Sequence, residues 1–138
     1  MVGAARHAYL VLAWAFVVGV VVQVFFIGLG LFASSENIEL HVTLGWILHL
    51  VPLLILAAAA LARAGRRRIL EAAGLAAVVF VVPILPLLRD GTPVLAALHP
   101  VGAILAFWLA IVVARGAASL RGVERAGMRA PAVSSPGP

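Results

Sequence analysis

The sequence predicts an all-α fold, an integral membrane four-helix bundle with up-down-up-down topology. Three observations carry that expectation. Hydrophobic residues make up 64% of the 138 and charged residues only 11%, with a mean hydropathy of +1.18, whereas soluble domains are typically about half apolar and a quarter charged. Four apolar runs, at about 8–32, 38–62, 69–88 and 93–114, are each long enough to approach or exceed a ~30 Å hydrocarbon core at ~1.5 Å per residue. The connections between them are short, which forces neighbouring spans to pack antiparallel.

The first run, Ala8 to Phe32, is longer than the apolar core of a cleavable signal peptide and reads as a full span. Its one polar side chain near the middle, Gln23, shares a helical face with Gly19, Phe26 and Gly30. An amide at that depth is expected to point into the bundle, because lipid offers it no partner. In the following loop Ser34 or Ser35 is a fair N-cap, and the acidic residues beside them suit a first helical turn. The second run contains Pro52, which frees the carbonyl of Leu48, so a kink is expected there. Arg63 to Arg68 forms a basic turn. The third run carries Glu71 in its first turn, and Pro83 and Pro86 loosen its far end. Thr92 and Pro93 read as N-cap and first helical position of the fourth run, which contains Pro100. Residues 1–117 thus form the transmembrane domain. Residues 118–138 are a tail, first a short amphipathic stretch and then PAVSSPGP, which has the composition of a disordered end.

All ten basic residues are arginine, and they cluster at the ends of the apolar runs. Membrane topology explains that clustering, so the net charge of +5 is no nucleic-acid footprint. Arg6, Arg63, Arg66, Arg67, Arg68 and the tail arginines fall on one side, while Glu36, Glu39, Asp90 and Arg89 fall on the other. The arginine-rich side is expected to be cytoplasmic, with both termini inside and the acidic loops facing outward across a bacterial inner membrane. The chain has no cysteine, which excludes disulfides and thiolate chemistry. It also lacks a nucleotide loop, a nucleophile elbow and an HExxH motif.

The chemistry is expected to reside in three histidines in the outer halves of the second and fourth spans. His49 lies ~12 Å deeper than His41 along the helix axis, and ~80° round it. His99 lies ~9 Å from its own helix start, between those two levels. In a square bundle these spans sit on a diagonal on the order of 13 Å, about the gap a flat macrocycle needs with one axial histidine on each side. The sharpest reading is therefore a b-type haem held by His99 and either His49 or His41, with Gly45 and Gly102 providing hollows beside the ligands. The same residues admit plainer readings. Small and polar residues are the ordinary means by which membrane helices pack, and His99 can satisfy a carbonyl freed by Pro100. A zinc or copper site from His41, His49, His99 and Glu36 or Glu39 is a further reading, although two helical turns separate His41 from His49. Gln23 suits a quinone headgroup or another helix. Trp14, Trp46 and Trp108 suit packing within the membrane.

The motif H-x3-G-x3-H at His41, Gly45 and His49, the L-H-P at Leu98 to Pro100, and the LGLF near Gly30 resemble a family of small four-helix membrane proteins of unknown function, common in actinobacteria. The resemblance covers roughly residues 8–116 and implies the bundle but no activity. In layout only, the chain is similar to the haem A synthase and cytochrome b561 bundles. With three histidines in its spans it has room for one bis-histidine site. The functional classes this leaves are a one-haem membrane cytochrome for electron transfer or redox sensing, a non-catalytic scaffold or accessory protein, and a small metal- or quinone-binding protein. A membrane redox partner or quinone is the expected partner of the first.

Overall fold

The computed structural model describes residues 1–129; the PAVSSPGP end lies outside the described residues. It is helical throughout. Helix α1 spans Val2–Phe32, α2 Ile38–Leu61, α3 Arg66–Val81, α4 Pro93–Ala96 and α5 His99–Arg129. Short 3₁₀ segments at Ser35–Asn37 and Val82–Leu88 lead into α2 and extend α3. Counting those extensions, four helical segments are long and apolar enough to cross a membrane: Val2–Phe32, Ser35–Leu61, Arg66–Leu88 and Pro93–Gly122. Helix α1 begins well before residue 8, because nothing in its first turns breaks a helix. Helix α5 continues past residue 114 to Arg129 without interruption.

The turns follow from local chemistry. Ser34 Oγ accepts the backbone N–H of Glu36 at 3.4 Å, so a serine does cap the entry to the second span. Helix α2 ends in a Schellman motif: Ala64 N–H donates to the Ala59 carbonyl and Arg63 N–H to the Ala60 carbonyl. Arg63 takes the left-handed position at φ 51° that glycine usually fills, and Gly65 follows at φ 84°. Pro52 is buried inside an uninterrupted α2. The third span changes character where its prolines begin. Neither Pro83 nor Pro86 can donate a backbone hydrogen bond, and the chain tightens into a 3₁₀ run seven residues long, beyond the three or four at which such runs usually stop. The fourth span starts as one turn of helix and breaks at Ala97–Leu98 before α5.

Helix α1 packs on α2 and α5, and α3 also packs on α2 and α5, so α2 and α5 face each other across a diagonal. The tight core occupies the half of the bundle nearer the arginines. It comprises Tyr9, Ala13 and Phe16 of α1, Ile55 and Ala59 of α2, Ala72 and Leu75 of α3, and Ala110, Val113 and Ala117 of α5. The many alanines let the backbones approach closely, which is how helices gain contact in a solvent as apolar as their own side chains. The opposite half is looser and encloses a cavity. Trp14, Trp46 and Trp108 are all exposed at the bundle surface, and Trp46 also reaches the cavity lining.

A polar staple closes the arginine-rich end. Arg67 Nε and Arg68 Nη1 each donate to Glu71 at 2.9 Å, and Arg68 Nη2 donates to Ser119 Oγ of α5 at 3.4 Å. Gly116 admits this guanidinium, since a Cβ there would stand 2.6 Å from Arg68 Nη1. Arg67 is 82% exposed and Arg68 24%, so the two pairs carry different weight. Glu71→Ala is expected to cost about 1–2 kcal/mol, because it strands the half-buried Arg68. Arg67→Ala is expected to cost under about 0.5 kcal/mol. Thermal unfolding of the two variants in detergent checks the order.

Candidate functional site: a histidine-lined cavity

The cavity in the looser half measures about 590 Å³ and is overwhelmingly apolar, within the ~300–1,000 Å³ range of small-molecule sites. All three span histidines line it, together with Gln23, Gly45, Trp46, Val82, Pro86 and, at its mouth, Arg89 and Asp90.

Two of the histidines come together. The ring centroids of His41 and His99 are 6.2 Å apart, with their planes at 78°. Each is held by a backbone carbonyl from a neighbouring span. His41 Nδ1–H donates to the Gln23 carbonyl at 3.1 Å, and His99 Nδ1–H donates to the Val82 carbonyl at 2.9 Å. A carbonyl only accepts, so each bond places the ring proton on Nδ1 and leaves the Nε2 lone pair free. This is the arrangement in which ligating histidines are found, with one nitrogen anchored and oriented by the protein and the other available.

The origin of the second anchor lies in the prolines of the third span. In an α-helix the Val82 carbonyl would accept the N–H of residue 86, but that residue is Pro86. The carbonyl thus stays available to His99. His99 is therefore held by the Val82 carbonyl of the neighbouring third span, which Pro86 denies an α-helical partner, and not by one that Pro100 frees within its own helix. Proline four residues after Val82 was the sequence signal for this anchor. The Gln23 carbonyl has no such signal, because it sits in an unbroken α1.

His49 is not part of the pair. Its ring packs against Phe80 at 4.3 Å and Trp46 at 5.9 Å between centroids. Its Nδ1 is buried and has no hydrogen-bond partner among the described residues, and the same holds for Gln23 Oε1. The two glycines act differently from expectation. A Cβ on Gly45 would lie 2.8 Å from Gln23 Nε2, and one on Gly102 would lie 2.7 Å from Val82 Cγ2. Both hollows are thus occupied by the residues whose carbonyls hold the histidines. Gly45 still lines the cavity, whereas Gly102 sets how closely α5 approaches the Val82 segment. Among the described residues no three His, Asp or Glu side chains gather into a group able to hold a metal ion.

Fold and cavity together define the class: a small four-helix bundle of membrane-spanning character, dense at one end and hollow around a histidine pair at the other. Residues 23–87 match the model of a family described only as a family of unknown function (DUF6220). The matched stretch takes in Gln23, His41, Gly45, His49 and Val82 and stops short of His99. No curated protein and no solved structure matches the chain.

Proposed function

We propose that the chain is a one-haem membrane cytochrome whose b-type haem is ligated by His41 and His99. The observation that carries the reading is the pair itself: two imidazoles on facing helices, each anchored through Nδ1 to a backbone carbonyl, 6.2 Å apart on the wall of a large apolar cavity. Two imidazoles sharing one metal at metal–nitrogen distances of ~2.0–2.1 Å would have their ring centres roughly 6 Å apart. A bare ion would need further protein donors, which the described residues do not gather. A porphyrin brings four nitrogens of its own, so two histidines complete its coordination.

Haem held by two histidines exchanges one electron at a time without offering a coordination position to a substrate. The chain's own contribution is orientation and exclusion of water. Val82 and Gln23 fix the tautomer and direction of the two rings, and the apolar lining keeps the dielectric low, both of which tune the potential. With the arginine clusters facing the cytoplasm, the cavity lies in the outer leaflet of a bacterial inner membrane, and both termini lie inside. Electrons then reach it from a membrane redox partner or a quinone.

The test is spectroscopic. Full-length protein produced with haem supplied and purified in detergent is expected to carry one haem per chain, with a Soret band and a sharp α-band on reduction. The His7→Ala variant should match it, since His7 lies at the arginine-rich end beside Arg121. Colourless protein would leave the histidines with a packing role in a scaffold.

A further inference from the structure

Building on the haem reading, we infer that Arg89 holds a haem propionate at the mouth of the cavity and so fixes which edge of the macrocycle lies outermost. Haem b is asymmetric: one edge bears two carboxylates and the opposite edge bears only apolar groups. The cavity is asymmetric in the same sense. Its deep end is walled by Phe16, Leu48, Val79 and Ala106, with the His49 ring tilted against Phe80. Its mouth carries Arg89 and Asp90, the charged residues of the lining. Arg89 is also the one basic residue between Arg68 and Arg115 apart from His99.

A propionate turned inward would lose its water in an apolar environment and meet no cation, an arrangement with a heavy desolvation penalty. The polar atoms at depth do not remedy this. Gln23 Oε1 is an acceptor and repels a carboxylate, and the Gln23 amide N–H and a His49 ring nitrogen offer two anions no permanent cation. At the mouth, the guanidinium offers a planar fork that matches a carboxylate. Arg89 is free to turn to it. Its contact with Asp90 is long, 3.7 Å, and the two side chains are 78% and 92% exposed, so that pair holds it only weakly.

The experiment compares haem b with its dimethyl ester, which has the same macrocycle and no propionate charge. Both are titrated spectrophotometrically into the full-length chain in detergent, as wild type, Arg89→Gln and His49→Ala. The ester is expected to bind wild type about fivefold more weakly than haem b, a modest exposed charge-assisted contact. That ratio should collapse toward one in Arg89→Gln and persist in His49→Ala. Equal affinity for the two porphyrins in wild type overturns the inference while leaving the haem reading intact. A ratio that survives Arg89→Gln and collapses in His49→Ala also overturns it, by turning the propionates inward. Failure of both porphyrins to bind sinks the haem reading and this inference together.

Discussion

His99→Ala and His41→Ala are each expected to abolish the six-coordinate haem spectrum, with haem affinity falling by more than about 100-fold. The magnitude follows from the ligand count. Losing even an outer partner of a metal ligand typically costs about 10–100-fold in affinity. Here a ligand itself goes, from a site in which the protein supplies only two. Neither loss can be made good locally, because the His49 ring is turned away from the pair and packed against Phe80 and Trp46. His49→Ala should therefore keep the Soret and α-bands. Free imidazole added to His99→Ala should restore part of the six-coordinate signal, since the truncated side chain leaves a space of that shape. A normal low-spin spectrum in His99→Ala, or its disappearance in His49→Ala, would assign the ligands differently. Both measurements are made on detergent-purified protein, with far-UV circular dichroism to establish that the helices persist.

Much of the bundle was legible in the residues because hydropathy and arginine placement act along the chain, one segment at a time. The four runs, the serine cap before α2 and the inward-facing Gln23 needed no knowledge of neighbours. The choice between His41 and His49 as partner of His99 was a different kind of question. Two residues eight apart on one helix differ by ~80° of rotation, and which of them faces α5 depends on how α2 and α5 are turned about their axes. That rotation is fixed by contacts between segments distant in sequence, such as Gly19 against Leu48 and Gly102 against Val82. The role of Val82 was half legible. Pro86 marks its carbonyl as lacking an α-helical partner by the same argument that applies to Pro52 and Leu48, but the segment that brings His99 to it lies beyond a break at Ala97–Leu98. The glycines show the limit of reasoning from small residues. A hollow beside a histidine looks the same in the sequence whether a cofactor or a neighbouring side chain fills it.

Gly102→Ala is expected to weaken binding well beyond what its modest effect on stability accounts for. Glycine in a helix interior is less favourable than alanine by roughly 0.5–1 kcal/mol, but Gly102 lies in the first turn of α5, where less of that gain is realised. The added methyl, however, would stand 2.7 Å from Val82 Cγ2, closer than carbon atoms tolerate. Valine is stiff about its first side-chain torsion, and its segment is the proline-rich 3₁₀ run, which lacks the hydrogen bonds that would hold an α-helix in place. The strain is then relieved by displacement of the Val82 backbone, and with it the carbonyl that anchors His99 Nδ1 at 2.9 Å. Loss of such an anchor costs about tenfold or more in metal affinity, so haem binding should weaken by at least ~10-fold, while the overpacking lowers stability by no more than about 1–3 kcal/mol. Gly28→Ala provides the control, since no atom lies within 4 Å of a Cβ placed there, and it should leave binding unchanged. The decisive variant is Val82→Ala combined with Gly102→Ala. Removing Cγ2 eliminates the clash and keeps the carbonyl, so affinity should return toward wild type. If the double variant binds as poorly as Gly102→Ala alone, the contact between these two residues does not position His99, and the anchor has to be sought elsewhere in the α3–α5 interface.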